Sequence, residues 1–241
     1  MLPWFLVYLL SLEGLSYRGE TMVANDIVGV LFVYIYVALL LVVTEKVLRR
    51  YPTVSRKILH IMVGNIVFIL PLFQTREIMA FLAAAPFIFL TFLISPYSPI
   101  KGLSKVSKAG HELGLVYYSI SWTILAYIFF DHMEIIGVGI LAMSYGDGFA
   151  SLIGARFGRH TYQLFCDKKS VEGSTVMFLV TFGFLVIDLL FYSIPLTTYL
   201  FITLVLVSFL ATVVEAVTPR GLDNLTVPLI ASFAYWYLTM V

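Results

Sequence analysis

Asp147 lies between two glycines in the stretch Ser144-Tyr-Gly-Asp-Gly-Phe-Ala150, and a second polar stretch, Asp167-Lys-Lys-Ser-Val-Glu-Gly-Ser174, follows it. A carboxylate flanked by Gly146 and Gly148 leaves space for a metal-phosphate group to approach both the side chain and the backbone. Lys168 and Lys169 offer ammonium donors, and Ser170 a hydroxyl donor, to phosphate oxygens. Glu112, Glu215 and Asp223 add hard oxygen ligands of the kind Mg2+ takes, and Asn224 adds an amide beside Asp223. Arg56 and Lys57 supply two more cations. His60 supplies an imidazole that titrates near neutrality, and it suits a general base and a helix-end hydrogen-bond donor equally. Together these groups suit an anionic, metal-bound substrate. Unaided, these residues mark a site for a phosphate, around Arg56, Lys57, Gly146, Gly148, Lys168, Lys169, Ser170 and Asn224, and for a metal, around Asp147, Glu112, Glu215 and Asp223. The chain has no Gly-x-x-x-x-Gly-Lys-Ser/Thr loop and no protein-kinase signature, so a nucleotide is held by another device. Gly154 and Gly158 have the spacing of a close helix contact, Asp188 falls away from the cluster, and the single cysteine, Cys166, has no internal disulfide partner.

The elements that must position these residues are set by composition. Of 241 residues 61% are apolar and only 12% charged, with a mean hydropathy of +0.98; soluble domains run near 45–50% apolar and about 25% charged. A water-soluble fold and a disordered chain are both excluded. Fifteen basic against fourteen acidic residues give no overall field to gather nucleic acid. Eight apolar runs of membrane-spanning character occupy roughly 27–43, 58–73, 78–95, 113–130, 135–153, 174–193, 198–217 and 225–241, and Leu2 to Leu12 is a shorter ninth candidate. Thirteen of the fifteen basic residues fall in alternate connectors, leaving only Arg18 and Arg76 in the others. By the positive-inside rule the basic connectors are cytoplasmic. The expected fold is all-α: a polytopic membrane bundle of about 8–9 transmembrane helices forming one domain over residues 1–241. Residues 1–26 are an N-terminal segment, and the site lies on the cytoplasmic face. No fixed-period repeat supports a transporter built from inverted halves.

Four blocks then come into view in order: Arg56-Lys-Ile-Leu-His60; Gly146-Asp-Gly-x-Ala150 with Gly154 and Gly158; Lys168-Lys-Ser-x-x-Gly-Ser174; and Glu215 with Gly221-Leu-Asp-Asn-Leu-Thr-Val-Pro228. Together they resemble the CTP-dependent lipid-alcohol kinases, the family of dolichol kinase, phytol kinase and the yeast-type diacylglycerol kinase. The resemblance runs from about residue 56 to 228. It implies CTP as donor, a divalent metal such as Mg2+, and a membrane lipid alcohol (dolichol, geranylgeraniol or phytol) as acceptor, with Asp147, His60 and Lys57 at the reacting atoms and the nucleotide among the phosphate-site residues; no obligate protein partner is inferred. Phosphatidate cytidylyltransferases share part of the pattern and are the alternative. Their later Lys-Asp and His-Gly-Gly elements are missing after Gly173, which favours the kinase. A small transporter is the second alternative, but the polar residues keep to one face and form no midplane chain.

Overall fold

A computed structural model describes residues 23–47, 50, 52–98, 113–164, 167–219 and 221–241. The Leu2 to Leu12 run, Glu112, Cys166 and Arg220 lie outside the described residues, and Arg56 is described only by its backbone. Eight helices follow in order among the described residues. Helix α1 is Val23–Val42, ending in a π-helical turn at Val43–Val47. Helix α2 is Pro52–Val63 and runs on as a 3-10 helix, Gly64–Leu72. Helix α3 joins a π-helical Ile78–Ala84 to Pro86–Leu93, α4 is Gly114–Ile128, and α5 is Met133–Phe157. Helices α6 (Val171–Phe191), α7 (Thr198–Val217) and α8 (Asp223–Met240) complete the bundle. They cover the eight expected apolar runs. By length and composition α1, α5, α6 and α7 are each able to cross a membrane; α2, α3 and α4 are shorter apolar helices.

Burial explains the arrangement. Every residue of α5 from Ile135 to Gly148 is buried, as expected of a helix that is apolar all round. Around it α6 turns inward Gly173, Met177, Thr181, Leu185 and Asp188, a helical spacing, while Leu179 and Leu190 stay outside. Helix α7 does the same with Val207, Ala211 and Glu215 against an outer face of Phe209 and Leu206. This inversion, polar groups inside and large apolar side chains outside, is that of a bundle solvated by lipid. Helix ends are fixed locally: Ser170 accepts from the Gly173 N–H at 3.1 Å to cap α6, and Thr197 accepts from Leu200 N–H at 3.2 Å to cap α7. Pro228 lies inside α8 and has no N–H to offer the carbonyl four residues earlier. That carbonyl, of Asn224, instead accepts from Ser121 Oγ of α4 at 3.0 Å.

The fold departs from the all-α expectation in one place. An antiparallel ribbon, β1 (Thr161–Gln163) and β2 (Lys168–Ser170), joins α5 to α6, with Tyr162 opposite Lys169. Strands of three residues are too short to show alternation in a sequence.

Two glycines beside Asp147 set how closely the helices approach. A Cβ at Gly148 would run into Ile61 of α2, and one at Gly146 into Thr181 of α6. Gly148→Val is expected to push α2 from α5 and cost about 1–3 kcal/mol through overpacking. Detergent-solubilised Gly148→Val protein should melt at lower temperature than the parent; an unchanged melt would mean that α2 and α5 do not meet here.

Candidate active site

Asp147 closes a π-helical turn, Ala142–Asp147, inside α5. A π turn inserts one residue per turn and shifts the faces of the helix that follows, a device common at functional sites. The carboxylate is 6% exposed, inside the bundle. Helix α2 carries Lys57 and His60 three residues apart on one face, so both meet it. Lys57 Nζ lies 3.6 Å and His60 Nε2 3.5 Å from Asp147 Oδ2. His60 Nε2 is also 3.3 Å from the Met143 carbonyl oxygen. His60 Nε2 thus faces two oxygen acceptors. The ring stands edge-on to Tyr118 at 5.3 Å, and the Tyr118 hydroxyl meets Ser144 Oγ at 2.9 Å.

The ribbon brings in the next cation. Strand alternation turns Lys169 toward α7, where Nζ pairs with Glu215 Oε1, and leaves Lys168 exposed. Burial disfavours the Lys169 ammonium, but the adjacent Glu215 carboxylate favours it and holds its pKa above the ordinary lysine value. Lys169 therefore stays charged throughout the neutral range. At the start of α8, Asp223 Oδ1 accepts from Gly221 N–H at 3.0 Å and Asn224 N–H at 2.9 Å. Gly221 has φ 89°, the left-handed region that favours glycine, and this turn aims Asp223 inward. Lys57, Asp147, Lys169, Glu215 and Asp223 all interact electrostatically. Four segments far apart in sequence thus meet at one charged cluster.

Several expected site residues make contacts that hold the bundle together. Gly146 and Gly148 pack against Thr181, Met177 and Ile61, so their missing side chains serve helix contact rather than leaving room for a phosphate group. Ser170 caps α6 and sits against Gly154 and Gly158, which explains that glycine spacing. Lys168 is exposed. Asn224 ties α8 to α4, its Nδ2 donating to the Gly114 carbonyl at 2.9 Å. Among the described residues no three His, Cys, Asp or Glu side chains form a ready-made metal cage. Asp147, Glu215 and Asp223 are nevertheless hard oxygen ligands in one cluster, and Mg2+ usually takes one or two carboxylates and completes its shell with substrate phosphates and water. The set fits a cation that arrives with a nucleotide. Asp188 is buried in α6 against Gly137, away from the cluster.

What the sequence did not reveal is a cavity of about 290 Å³ between α1, α2, α3 and α4. Its walls are almost wholly apolar, and His60 and Tyr118 stand at one end. His60 thus belongs to both the charged cluster and the cavity. Only the burial of four helices against one another creates this space, and no residue pattern announces it.

No family model matches the chain, and no solved structure matches it. Among known proteins, a phytol kinase of Synechocystis is 33% identical over 202 residues, covering 81% of this chain and 85% of the relative. The chain belongs to the phytol kinase family. A probable chloroplastic phytol kinase of Triticum aestivum is 35% identical over 198 residues, and phytol kinase 1 of Arabidopsis thaliana 32% over 197. In both plant cases the match covers 73% of this chain and 64% of the relative. Membership makes the chain a lipid-alcohol kinase, in agreement with the resemblance carried by the four blocks.

The Lys169–Glu215 pair tests the electrostatics of the cluster. Lys169→Met leaves a buried carboxylate without its cation, a loss of about 3–5 kcal/mol. The double variant Lys169→Met/Glu215→Gln removes both charges and should recover part of that stability. Thermal melts in detergent should therefore rank parent, double variant, then Lys169→Met; a double variant no more stable than Lys169→Met would refute the pairing.

Proposed function

We propose that the chain transfers the γ-phosphoryl group of CTP to the hydroxyl of a membrane isoprenoid alcohol of the phytol type, giving the lipid monophosphate and CDP. One observation carries this reading: His60 lines the polar end of an apolar cavity and, 3.5 Å away, faces Asp147 in the charged cluster. A lipid alcohol fits that junction, its tail in the cavity and its hydroxyl at the imidazole. The names of the relatives support phytol, and the motif resemblance supports CTP. The whole chain is then one multi-pass lipid-kinase domain, with residues 56–228 as its core and the charged cluster toward the cytoplasm, the side given by the basic connectors.

Phosphoryl transfer leaves little covalent work for the protein beyond charge neutralisation, alignment and removal of one proton. Lys57 and Lys169 are placed to hold the terminal phosphates. Asp147, with Glu215 or Asp223, would hold a nucleotide-borne Mg2+, which supplies neutralisation of charge building on the β- and γ-phosphates. The alcohol oxygen attacks the γ-phosphorus, the bond from that phosphorus to the β-phosphate bridging oxygen breaks, and CDP leaves. The hydroxyl proton passes to the His60–Asp147 pair. The apolar walls exclude water, the competing nucleophile.

CTP labelled separately on its γ and α phosphates decides the reaction. Incubation with phytol and Mg2+ should put γ label into lipid and leave α label in CDP. Cytidine entering the lipid with loss of pyrophosphate would replace the kinase reading with a cytidylyltransferase. Asp147→Asn keeps the side-chain shape and removes its charge; turnover should fall at least about a hundredfold in protein that still inserts and melts normally. Near-parental turnover would take Asp147 out of the site. The proposed face has its own check. On a background lacking Cys166, cysteines at Tyr97, His160 and Pro219 should react with an impermeant thiol reagent from the cytoplasmic side, and cysteines at His132 and Leu196 from the other. Reaction of Pro219→Cys and His132→Cys from the same side would invalidate the topology.

A further inference from the structure

The cavity has two unlike ends, and the closed end bears on which alcohol is taken. Along α2 its lining descends from Leu59 and His60 through Ile66 and Leu70 to Phe73; along α3 it reaches Met79 at the same far end. Phe73 is 2% exposed and Met79 1%, so that end opens to no solvent. Phe73 is held at its ring by α1 and by the chain that follows it. It lies against Gly29 of α1, where a Cβ would be only 3.0 Å from the ring, so a side chain there would crowd it. The chain just beyond is clamped by buried Asp26, which accepts from Gln74 N–H at 2.7 Å, Thr75 N–H at 3.1 Å and Thr75 Oγ1 at 2.6 Å. This carboxylate lies at the far end of α2 from the charged cluster and takes no part in it. Its three hydrogen bonds have one evident effect, to hold the turn that carries Phe73.

We infer that Phe73, held by Gly29 and Asp26, is the floor of the tail site and sets the length of isoprenoid alcohol the enzyme accepts. The inference rests on the lipid-alcohol reading of the site above. The 3-10 segment Gly64–Leu72 lengthens the wall, because it rises about 2.0 Å per residue where an α-helix rises about 1.5 Å. From His60 to Phe73 the backbone then advances roughly 20–25 Å. With carbon–carbon bonds of about 1.5 Å, an extended chain gains roughly 1.3 Å per bond, so this depth takes on the order of sixteen to nineteen chain carbons. That is the main chain of a four-isoprene alcohol such as phytol or geranylgeraniol. An alcohol of nine or more isoprene units overruns the floor.

The test is a ratio measured within each protein, so that a partly folded variant still reports. Specificity, as kcat/KM, is measured with CTP for farnesol, geranylgeraniol, phytol and the nine-isoprene alcohol solanesol, using parent, Phe73→Ala and Ala83→Phe. The parent should prefer the four-isoprene alcohols over solanesol by at least about tenfold, the scale at which an apolar pocket discriminates chain size. Phe73→Ala removes the floor and should reduce that preference at least about tenfold. Ala83→Phe adds bulk to a buried wall of the same cavity and should shift the preference toward farnesol. Equal use of solanesol by the parent, or a parental ratio in an active Phe73→Ala enzyme, overturns the inference and leaves the kinase reading standing. Failure of the parent to phosphorylate any of the alcohols overturns the kinase reading, and the inference with it.

Discussion

The charge of Asp147, buried at the centre of the bundle, is the constraint on which the rest depends. An isolated carboxylate in such surroundings is costly enough that it must be paired or neutralised. Lys57 and His60 answer it from one turn of α2, and this requires α2 to lie close against α5. Gly148 permits that approach because Ile61 occupies the space a side chain would need. On the other side Gly146 allows α6 to close in with Thr181 and Met177. The glycines around the aspartate are therefore part of the electrostatic arrangement. The second carboxylate, Glu215, meets the same requirement through Lys169, and the ribbon between α5 and α6 exists at the place where that lysine must be delivered.

A buried cluster of cations and anions in balance has a consequence for binding. Lys57 and Lys169 are held in place by the acids they pair with, so their positions are fixed before a polyphosphate arrives. A polyphosphate can exchange for carboxylates as the partner of these lysines, while a cation arriving with it takes the released carboxylates.

The sequence disclosed the helical fold largely through apolar run length, a signal that survives without a structure. It disclosed the charged cluster through residue type, and Lys57, His60, Asp147, Lys169, Glu215 and Asp223 do come together. It could not show contacts where a residue's direction depends on local backbone. Lys168 and Lys169 are adjacent and chemically alike, and only the strand pairing of Tyr162 with Lys169 decides which faces inward. Ser170 reads as a phosphate donor until the helix it caps is seen to begin at Val171. The Asn224 role became legible only through Pro228, whose missing N–H leaves the Asn224 carbonyl to Ser121. The π turn before Asp147 and the cavity beside His60 left no mark in residue order, because both arise from how helices are wound and packed.

The cavity and the cluster also solve one problem jointly, the exclusion of water as acceptor. Thr91 and Ser119 line the cavity, yet each donates to a carbonyl of its own helix, Thr91 to Phe87 at 2.6 Å and Ser119 to Leu115 at 3.1 Å. The Tyr118 hydroxyl is engaged with Ser144. An ordered water needs two to four polar partners; these three hydroxyls are already committed, and the Trp122 N–H, which also lines the cavity and has no hydrogen-bond partner, offers one. The imidazole of His60 is the lining group that also faces a carboxylate, so on the proposed reading a hydroxyl entering with an apolar tail meets its proton acceptor there. A water molecule has no tail to fill the remaining space and gains nothing from the apolar surface that draws the alcohol in. Discrimination between lipid alcohol and water then follows from burial of the tail, and the charged cluster needs no separate device to prevent hydrolysis.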